Sequence, residues 1–501
     1  MTKPNWKNRT LWTGDNLDVM RGMNSESVDL IYLDPPFNSN KKYAAPIGSK
    51  AAGAAFKDTW KLSDLDEAWH GEVAEQEPAV YAIIDAAGAS HGKRMKSYLI
   101  MMAVRLLEIR RLLKPSGSVY LHCDPTASHY LKMLLDAALG QKNFRSEIVW
   151  RRSNAHSKTT TQFGPIHDIL LYYSRSENMT FHPGTRPYTT AYIEGRFKKR
   201  DEGGRFQLNY LTGSETRDGE SGEPWRGFDP TAVGRHWAIP SALRPFLPSD
   251  GNGMSSHEQL EHLYQQGLIV FPKKEGGQPM YKQYIGSGVP YQDVWAYQPN
   301  TRGVLYQSDE HIDQDVKWLE NEPEKTDYPT QKPLGLLDRI IQTSSDKGDV
   351  VLDPFCGCAT ACVSAERLGR QWVGIDLSPM AATLVKSRIK DEMGGLFYDI
   401  NHRTDIPSRT DLGKLPSYKT HKHTLFGKQE GLCKGCRISF PFQNFTIDHK
   451  VPRIKGGTDH ISNLQLLCNA CNSLKGDRSH AYLVSQLKKL GRRETAKGVT
   501  P

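Results

Sequence analysis

Residues 348–361 read Gly-Asp-Val-Val-Leu-Asp-Pro-Phe-Cys-Gly-Cys-Ala-Thr-Ala and decide the fold class of this chain. The apolar residues 350–352 predict a buried strand, and the glycine-containing stretch after them predicts a turn. A helix is expected from Thr360 to about Leu368, and a second strand, 371–375, ends in Asp376. Strand, turn, helix and strand in this order form a βαβ unit, so we expect an α/β fold.

The turn of this unit is a candidate ligand site. Such a turn lets a ligand approach the backbone, and an acid at the end of the next strand can accept two ribose hydroxyls. Asp376 follows Gly357 by 19 residues, a spacing that fits this role. A Rossmann-like unit without a nucleotide would give the same pattern, so the turn alone leaves that alternative open.

A second strand near the N-terminus is followed at once by an acid and two prolines. Residues 28–33 form an apolar run, and Asp34-Pro35-Pro36-Phe37 comes next. An acid at the carboxyl end of a buried strand faces the ligand crevice of an α/β sheet. Because the prolines lack backbone donors, a carboxylate and carbonyl oxygens remain to accept both hydrogens of an exocyclic amine. Taken alone, the tetrapeptide also fits an ordinary turn.

Together the two motifs resemble those of the DNA amino-methyltransferases. The cofactor motif of that family typically reads Asp-Pro-Phe-x-Gly-Ser-Gly-Thr-Thr, and this chain departs from it at Ala359 and Ala361. Asp-Pro-Pro-Phe precedes the cofactor motif, as in the β class, and favours adenine N6 over cytosine N4 as acceptor. The resemblance implies a Rossmann-like, S-adenosylmethionine-dependent methyltransferase with an inserted target-recognition region.

The resemblance assigns residues to two sides of the site. Catalysis is expected from Asp34, Pro35, Pro36 and Phe37, with the Phe37 ring stacking on the base. The residues expected to bind the cofactor are Asp15, Lys332, Asp353, Pro354, Phe355, Gly357, Thr360 and Asp376. Asp15 is expected near the cofactor adenine, and Lys332 lies in a segment that looks like the one closing over the methionine end.

Two Cys-x-x-Cys pairs mark a separate C-terminal domain. They are Cys433 with Cys436 and Cys468 with Cys471, four of the chain's eight cysteines. Four thiolates close a tetrahedral structural Zn²⁺ site. The chain shows no signal peptide and no apolar run of membrane-spanning length, so we expect a cytoplasmic, DNA-associated protein. In that compartment such pairs bind metal more often than they form disulfides.

Asp448-His449 and Asn463 lie between the two pairs, and Asn472 follows the last cysteine. This order resembles the HNH nuclease family, a ββα fold with one catalytic metal. The resemblance makes His449 the general base and Asn463 the residue that orients it. It makes Asp448 and Asn472 ligands of Mg²⁺ or Mn²⁺, and hard oxygen ligands suit such an ion. A zinc-stapled DNA-binding module that does not cleave is the alternative.

The charge distribution indicates which part of the chain meets nucleic acid. The 501 residues carry a net charge of +9, whereas residues 402–501 alone contain 18 basic and 7 acidic side chains. A basic C-terminal domain suits phosphate binding, so double-stranded DNA is the expected partner. A homodimer is a possible oligomeric state that the sequence does not decide.

These observations predict six segments: 1–175 (methyltransferase catalytic part), 176–325 (target-recognition region), 326–392 (cofactor-binding part), 393–424 (linker), 425–485 (HNH nuclease domain) and 486–501 (basic tail). Aromatic residues and arginines in 176–325 suit DNA contact or an irregular β-rich domain equally well. The expected function is site-specific adenine-N6 methylation of DNA joined to an HNH endonuclease, as in restriction–modification. Cytosine N4 or RNA as acceptor, and an inactive DNA-binding protein, are the alternatives.

Overall fold

The computed structural model describes residues 3–36, 42–44, 55–57, 73, 77–153, 161, 163–251, 253–273, 277–286, 288–296, 313–319, 324–326, 328, 330–394, 400–411, 417–429 and 431–491. Phe37, the expected stacking residue, lies outside these ranges. The chain divides into two compact units. The first comprises residues 1–182, 292–297 and 313–501, and the second comprises 183–291 and 298–312.

The described residues form strands and helices in the following chain order. The strands are β1 Thr10–Thr13, β2 Val28–Leu33, β3 Lys42–Ala44, β4 Ala55–Lys57, β5 Leu113–Cys123, β6 Phe144–Arg151, β7 His167–Ser174, β8 Thr185–Arg186, β9 Lys199–Asp201, β10 Gly204–Tyr210, β11 Thr212–Ser214, β12 Arg235–Trp237, β13 Ile269–Val270, β14 Met280–Tyr284, β15 Val289–Pro290, β16 Val294–Trp295, β17 Val350–Asp353, β18 Gln371–Asp376, β19 Asn401–Arg403, β20 Phe445–His449 and β21 Leu464–Cys468. The helices are α1 Asn16–Gly22, α2 Pro78–His91, α3 Lys93–Leu112, α4 Ser128–Leu135, α5 Thr190–Arg196, α6 Ser256–Gln265, α7 Leu334–Ser344, α8 Thr360–Arg367, α9 Pro379–Met393, α10 Lys422–Lys428, α11 Asn469–Lys475 and α12 His480–Lys489.

The first unit is built on a nine-stranded sheet in the order β16-β6-β7-β5-β2-β17-β18-β1-β19. The strands from β5 to β19 in this order pair in parallel, whereas β7 runs antiparallel to both of its neighbours. Residues of α1–α4 pack in one buried cluster and residues of α7–α9 in another. Strand β2 is buried along its whole length, as expected for a parallel strand covered on both faces. The predicted α/β, Rossmann-like fold is confirmed.

Two segment boundaries differ from the sequence expectation. Residues 313–319 belong to the first unit and not to the inserted region, because Trp150 Nε1 donates to the Val316 carbonyl at 2.8 Å and Arg339 pairs with Asp313. Residues 401–403 were expected in the linker but form strand β19, the parallel partner of β1 at the edge of the sheet.

The second unit has a core and a sheet of its own. Its main sheet has the order β13-β14-β10-β9, and short strand pairs β11–β12 and β8–β15 accompany it. Helix α6 begins at a capping box formed by Ser255 and Glu258. Trp225 and Trp237 pack edge to face, 5.8 Å apart, in the buried cluster. The described part of this unit is therefore built from short strands joined by irregular chain.

The C-terminal domain contains a ββα arrangement. Strands β20 and β21 pair antiparallel, and α11 follows β21 directly. Leu466 and Leu483 are fully buried in the core of this domain. The small ββα fold is confirmed. Because Leu487 is also buried, the last helix extends the folded domain to Lys489, beyond the expected start of a basic tail at 486.

Candidate functional site

The carboxyl ends of neighbouring parallel strands bring the predicted catalytic and cofactor acids to one edge of the sheet. Asp34 follows β2, Asp353 ends β17 and Asp376 ends β18. In the sheet β2 is adjacent to β17, and β17 is adjacent to β18. Burial raises the pKa of Asp353 well above its ordinary value, and the charges of Asp34 and Asp376 act in the same direction.

Asp34 is held by a lysine from a distant part of the chain. Lys332 Nζ lies 2.5 Å from Asp34 Oδ2 and 3.2 Å from the Thr330 carbonyl. The side chains of Lys332 and Asp34 are only 8% and 14% exposed, so this is a nearly buried ion pair. The sequence predicted that Lys332 binds the cofactor, whereas the structure places its ammonium on the Asp34 carboxylate.

A buried hydrogen-bonded chain supports the end of β2. Tyr32 Oη lies 2.8 Å from His122 Nδ1, and His122 Nε2 lies 3.2 Å from Asp168 Oδ2. Burial raises the pKa of Tyr32 well above its ordinary value, with the charge of Asp34 adding to the shift. Tyr32 therefore acts as a neutral donor two residues before Asp34, and the network fixes the backbone from which Asp34 projects.

The cofactor loop is closed by hydrogen bonds to Asp376. Its Oδ2 accepts from the Gly357 N–H at 2.8 Å and its Oδ1 from the Ser378 N–H at 2.7 Å. Gly357 has a φ of +48°, and a Cβ at this position would lie 2.9 Å from the Tyr328 ring. A larger residue is therefore excluded at position 357 by both conformation and space.

The expected adenine end of the site is organised by an arginine that the motif analysis missed. Arg105 of α3 is buried and donates to Asp15 Oδ1 at 2.9 Å and to Asn16 Oδ1 at 2.6 Å. Asn16 Nδ2 in turn donates to the Pro354 carbonyl at 2.6 Å, which ties α1 to the cofactor loop. A signal was present in the sequence, because Arg105 is the only charged residue between positions 97 and 107.

Ala359 occupies the position where the family usually has glycine. It is fully buried and has φ 55° and ψ 42°, the left-handed region. Thr360 begins α8 directly after it, and Arg388 Nη1 donates to Thr360 Oγ1 and to the Cys358 carbonyl at 2.9 and 2.8 Å. An L-residue in this region costs roughly 1–2 kcal/mol relative to the right-handed region.

We expect Ala359→Gly to stabilise the first unit by about 0.5–1 kcal/mol, because the relief of left-handed strain exceeds the extra chain entropy of glycine. Differential scanning calorimetry should show the corresponding transition raised by roughly 1–3 °C. Ala361→Gly is the matched control. Ala361 lies within α8, so this substitution should lower the same transition. An unchanged or lower transition in Ala359→Gly would contradict the strain argument.

The four paired cysteines converge on one point in the C-terminal domain. The sulfur atoms of Cys433, Cys436, Cys468 and Cys471 all lie within 4.8 Å of one another. Sulfurs around one tetrahedral Zn²⁺ are about 3.8 Å apart, given Zn–S bonds of about 2.3 Å. Burial opposes ionisation of Cys433, but backbone N–H groups of Cys468, Cys436 and Gly435 lower the pKa of its thiol below the ordinary value. The donor set fits a structural zinc ion.

We expect Cys468→Ser to abolish zinc binding and to unfold the C-terminal domain, because three thiolates no longer close the tetrahedral site. Elemental analysis should find one zinc per chain in the unaltered protein and none in the variant. Limited proteolysis should then remove the C-terminal domain and leave the first unit's sheet intact. Cys123→Ser, at a buried cysteine of β5, should keep its zinc. A full zinc content in Cys468→Ser would refute the site.

The predicted nuclease histidine has an acidic partner. His449 Nε2 lies 2.7 Å from Asp459 Oδ1, and the guanidinium of Arg453 forms an ion pair with the same carboxylate. The Arg453 and His449 hydrogen bonds hold the pKa of Asp459 below its usual range. Because a carboxylate only accepts, His449 donates through Nε2 and keeps Nδ1 as an acceptor. Nothing in the sequence around Asp459 identified it.

The other three predicted nuclease residues are Asn463, Asp448 and Asn472. Asn463 exchanges hydrogen bonds with the backbone of Val451 at 3.0 Å, and so holds the loop after His449. Asp448 faces away from His449, as neighbours on a strand do. Its two oxygens accept from Lys475 Nζ at 3.0 Å and Gln465 Nε2 at 2.8 Å. Asn472 lies half-buried on α11.

The arrangement around Asp448 does not fit a bound divalent ion. Both carboxylate oxygens are already engaged, and the buried Lys475 ammonium supplies the neutralising charge. A Mg²⁺ ion requires open oxygen ligands and usually keeps several waters. The predicted metal pair of Asp448 and Asn472 is therefore not formed by these side chains in this conformation.

Comparison with known proteins places the chain in a family. The profile of the N6/N4 DNA methylase family matches residues 28–387. The chain belongs to this family. The profile of the HNH endonuclease family matches residues 433–478, so the methylase is fused to an HNH domain.

The methylase has relatives in restriction–modification systems. It is 26% identical over 407 residues to the type II methyltransferase M.EcaI of Enterobacter cloacae, covering 80% of this chain and 74% of the relative. It is 25% identical over 371 residues to the Mod subunit of the type III enzyme StyLTI of Salmonella typhimurium, covering 72% of this chain and half of the relative. A solved structure of the cytosine-N4-specific PvuII DNA methyltransferase matches 80% of this chain with 13% identity and a TM-score of 0.32.

Membrane insertion was not expected from the sequence. In the part of the chain that the structure describes, every helix is too short or too polar to cross a bilayer.

Proposed function

We propose that the first unit transfers a methyl group from S-adenosylmethionine to adenine N6 in a specific sequence of double-stranded DNA. The observation that supports this most is the position of Asp34 beside the cofactor acids, at the ends of adjacent parallel strands. Family membership alone covers both adenine N6 and cytosine N4. The Asp-Pro-Pro-Phe sequence favours the adenine.

The residues around the loop 353–359 fit the proposed cofactor. Asp376 would accept the ribose hydroxyls, Asp15 would lie near the adenine, and Gly357 would let the cofactor approach the backbone. Asp353, Pro354, Phe355 and Thr360 shape the loop from which these contacts are made. When bound, S-adenosylmethionine supplies an electrophilic methyl group.

Asp34 would act on the acceptor amine by orientation and polarisation. Lys332 occupies Oδ2, and Oδ1, which accepts no hydrogen bond from the residues that the structure describes, would accept one amine hydrogen. The backbone carbonyls near Pro35 and Pro36 would accept the other. Flipping the base out of the duplex costs a few kcal/mol, which stacking on Phe37 and hydrogen bonds at Asp34 would offset.

For the C-terminal domain we propose DNA cleavage with His449 as the general base and Asp459 as its orienting partner. Mg²⁺ or Mn²⁺ dependence is part of this proposal, although Asp448 would first have to leave Lys475. That same ion pair favours the second candidate, a zinc-stapled domain that binds DNA without cutting it. If it cuts, methylation would mask the site from the protein's own nuclease. Cytoplasmic location and homodimerisation stay predictions.

Sequencing of modified bases in DNA from cells that express the protein tests the methyltransferase. We expect N6-methyladenine in one recurring sequence context, absent when Asp34→Ala is expressed. N4-methylcytosine in place of methyladenine would overturn the acceptor assignment. DNA with neither modification, from cells that contain folded protein, would overturn the proposed function.

A further inference from the structure

An exposed basic hairpin stands out in the second unit. Residues 196–205 carry five basic and two acidic side chains and include strand β9 and the start of β10. All five basic side chains are exposed: Arg196, Lys198, Lys199, Arg200 and Arg205. Strand β9 is the edge strand of its sheet, so one side of the hairpin has no neighbouring strand within that sheet.

Two arginines oppose each other across this hairpin. In the antiparallel pairing of β9 and β10, Arg200 lies directly opposite Arg205. Like charges in directly opposed positions are destabilising. Within the described residues, neither guanidinium forms an ion pair that would relieve the repulsion. An anion placed between or beside them would relieve it.

One of the two acids on the hairpin is already engaged. Asp201 accepts from Lys282 Nζ at 2.7 Å and from the Tyr284 hydroxyl at 3.0 Å. The hydrogen bond from Lys282 is the main reason that the pKa of Asp201 lies below its ordinary value. Asp201 is therefore engaged by Lys282 and Tyr284, which leaves Glu202 in the turn as the other acid of a hairpin with five exposed cations.

An aromatic anchor orients the same face. Phe197 is buried, whereas its neighbours Arg196 and Lys198 on either side are exposed. Tyr188 and Tyr192 stack 5.1 Å apart next to Phe197, and Tyr192 is 41% exposed. The segment thus fixes its apolar side inward and directs its cations outward, beside an exposed ring.

We propose that this hairpin contacts the DNA phosphate backbone, with Arg200 and Arg205 each binding a phosphate. The inference rests on the proposed function and deepens it, because it assigns a DNA-contact surface within the inserted unit. Arginine binds phosphate in a bidentate manner, and such contacts set position on the duplex without reading sequence. The competing explanation is that these charged residues keep the exposed edge strand β9 from pairing with strands of other molecules.

The test measures binding of the full-length protein to a mixed-sequence DNA duplex by fluorescence anisotropy between 50 and 200 mM salt. In Arg200→Gln/Arg205→Gln we expect the slope of log affinity against log salt to fall by about 1.8, or 0.9 for each phosphate lost. Arg217→Gln/Arg244→Gln is the matched control, since both arginines are exposed in the same unit and their substitution removes the same amount of charge. Its slope should equal that of the unaltered protein.

Two further variants separate phosphate binding from the competing roles. Arg200→Lys/Arg205→Lys should keep a slope within about 0.5 of the original, because lysine still neutralises a phosphate. Arg200→Glu/Arg205→Glu keeps a charged edge but should lower affinity further than the glutamine pair. If the glutamine and glutamate pairs bind as the unaltered protein does, the hairpin is not a DNA contact. The hairpin is likewise not a DNA contact if Arg217→Gln/Arg244→Gln lowers the salt slope as much as Arg200→Gln/Arg205→Gln does.

Methyl transfer distinguishes failure of this inference from failure of the proposed function. At saturating DNA the glutamine pair should methylate at the original rate, with KM for DNA raised. If the unaltered protein methylates DNA and the pair has an unchanged KM and salt slope, only the hairpin assignment fails. If the unaltered protein does not methylate DNA but the glutamine pair still lowers the salt slope, the proposed function fails and the hairpin remains a DNA contact.

Discussion

Asp34→Ala is expected to lower methyl transfer by about 100-fold or more while the affinity for S-adenosylmethionine changes by less than about threefold. The loss of one preorganised electrostatic group costs about 3 kcal/mol of transition-state stabilisation. Cofactor affinity should survive because Asp376 and Gly357, which close the loop, form no hydrogen bond with Asp34. Single-turnover methylation and calorimetry with the cofactor measure the two effects separately.

Asp34→Asn is the matched variant for this prediction. It keeps the shape of the side chain and one acceptor oxygen but removes the charge that pairs with Lys332. We expect a defect close to that of the alanine variant, because polarisation of the amine depends on the negative charge. Methylation by Asp34→Ala within a few-fold of the original rate would remove Asp34 from catalysis. A large loss of affinity for S-adenosylmethionine would show that Asp34 acts in cofactor binding.

Local sequence predicted the strands that carry the site because the relevant signals are short-range. The apolar runs before Asp34 and Asp353 fixed two buried strands, and the β strands formed within a residue or two of the expected bounds. The order of parallel strands in the sheet then brought the acids together, as the general rule for α/β sheets predicts. Family resemblance added the expected ligands, which local pattern alone does not give.

Contacts between distant residues were not predictable in the same way. Lys332 reaches Asp34 across 298 positions, and Arg105 reaches Asp15 across 90. The motif around Lys332 indicated a role in cofactor binding, and no motif indicated a role for Arg105. Only the packed fold shows that Lys332 pairs with the Asp34 carboxylate and that Arg105 holds Asp15 and Asn16 at the start of α1. Position 359 is different, because the family pattern already indicated that a glycine was missing there.

The nuclease proposal is tested by substitution of His449. We expect His449→Ala to reduce DNA cleavage by about 100-fold or more without loss of DNA binding, as is typical when a general base is removed. The unaltered protein should nick unmethylated plasmid in the presence of Mg²⁺ or Mn²⁺ and in the absence of S-adenosylmethionine. His423→Ala, at a histidine that stacks on Phe442 in the same domain, is the matched control and should cleave normally.

A second variant tests the partner of the base. The lowered pKa of Asp459 keeps its carboxylate ionised, so it accepts from His449 Nε2 and leaves Nδ1 as the nitrogen that accepts a proton. Asp459→Asn should weaken cleavage, since an amide no longer fixes Nε2 as the donor. If the unaltered protein and His449→Ala nick equally, or neither nicks with either metal, the proposal that this domain cleaves DNA through His449 fails. The Asp448–Lys475 ion pair would then mark a domain that only binds DNA.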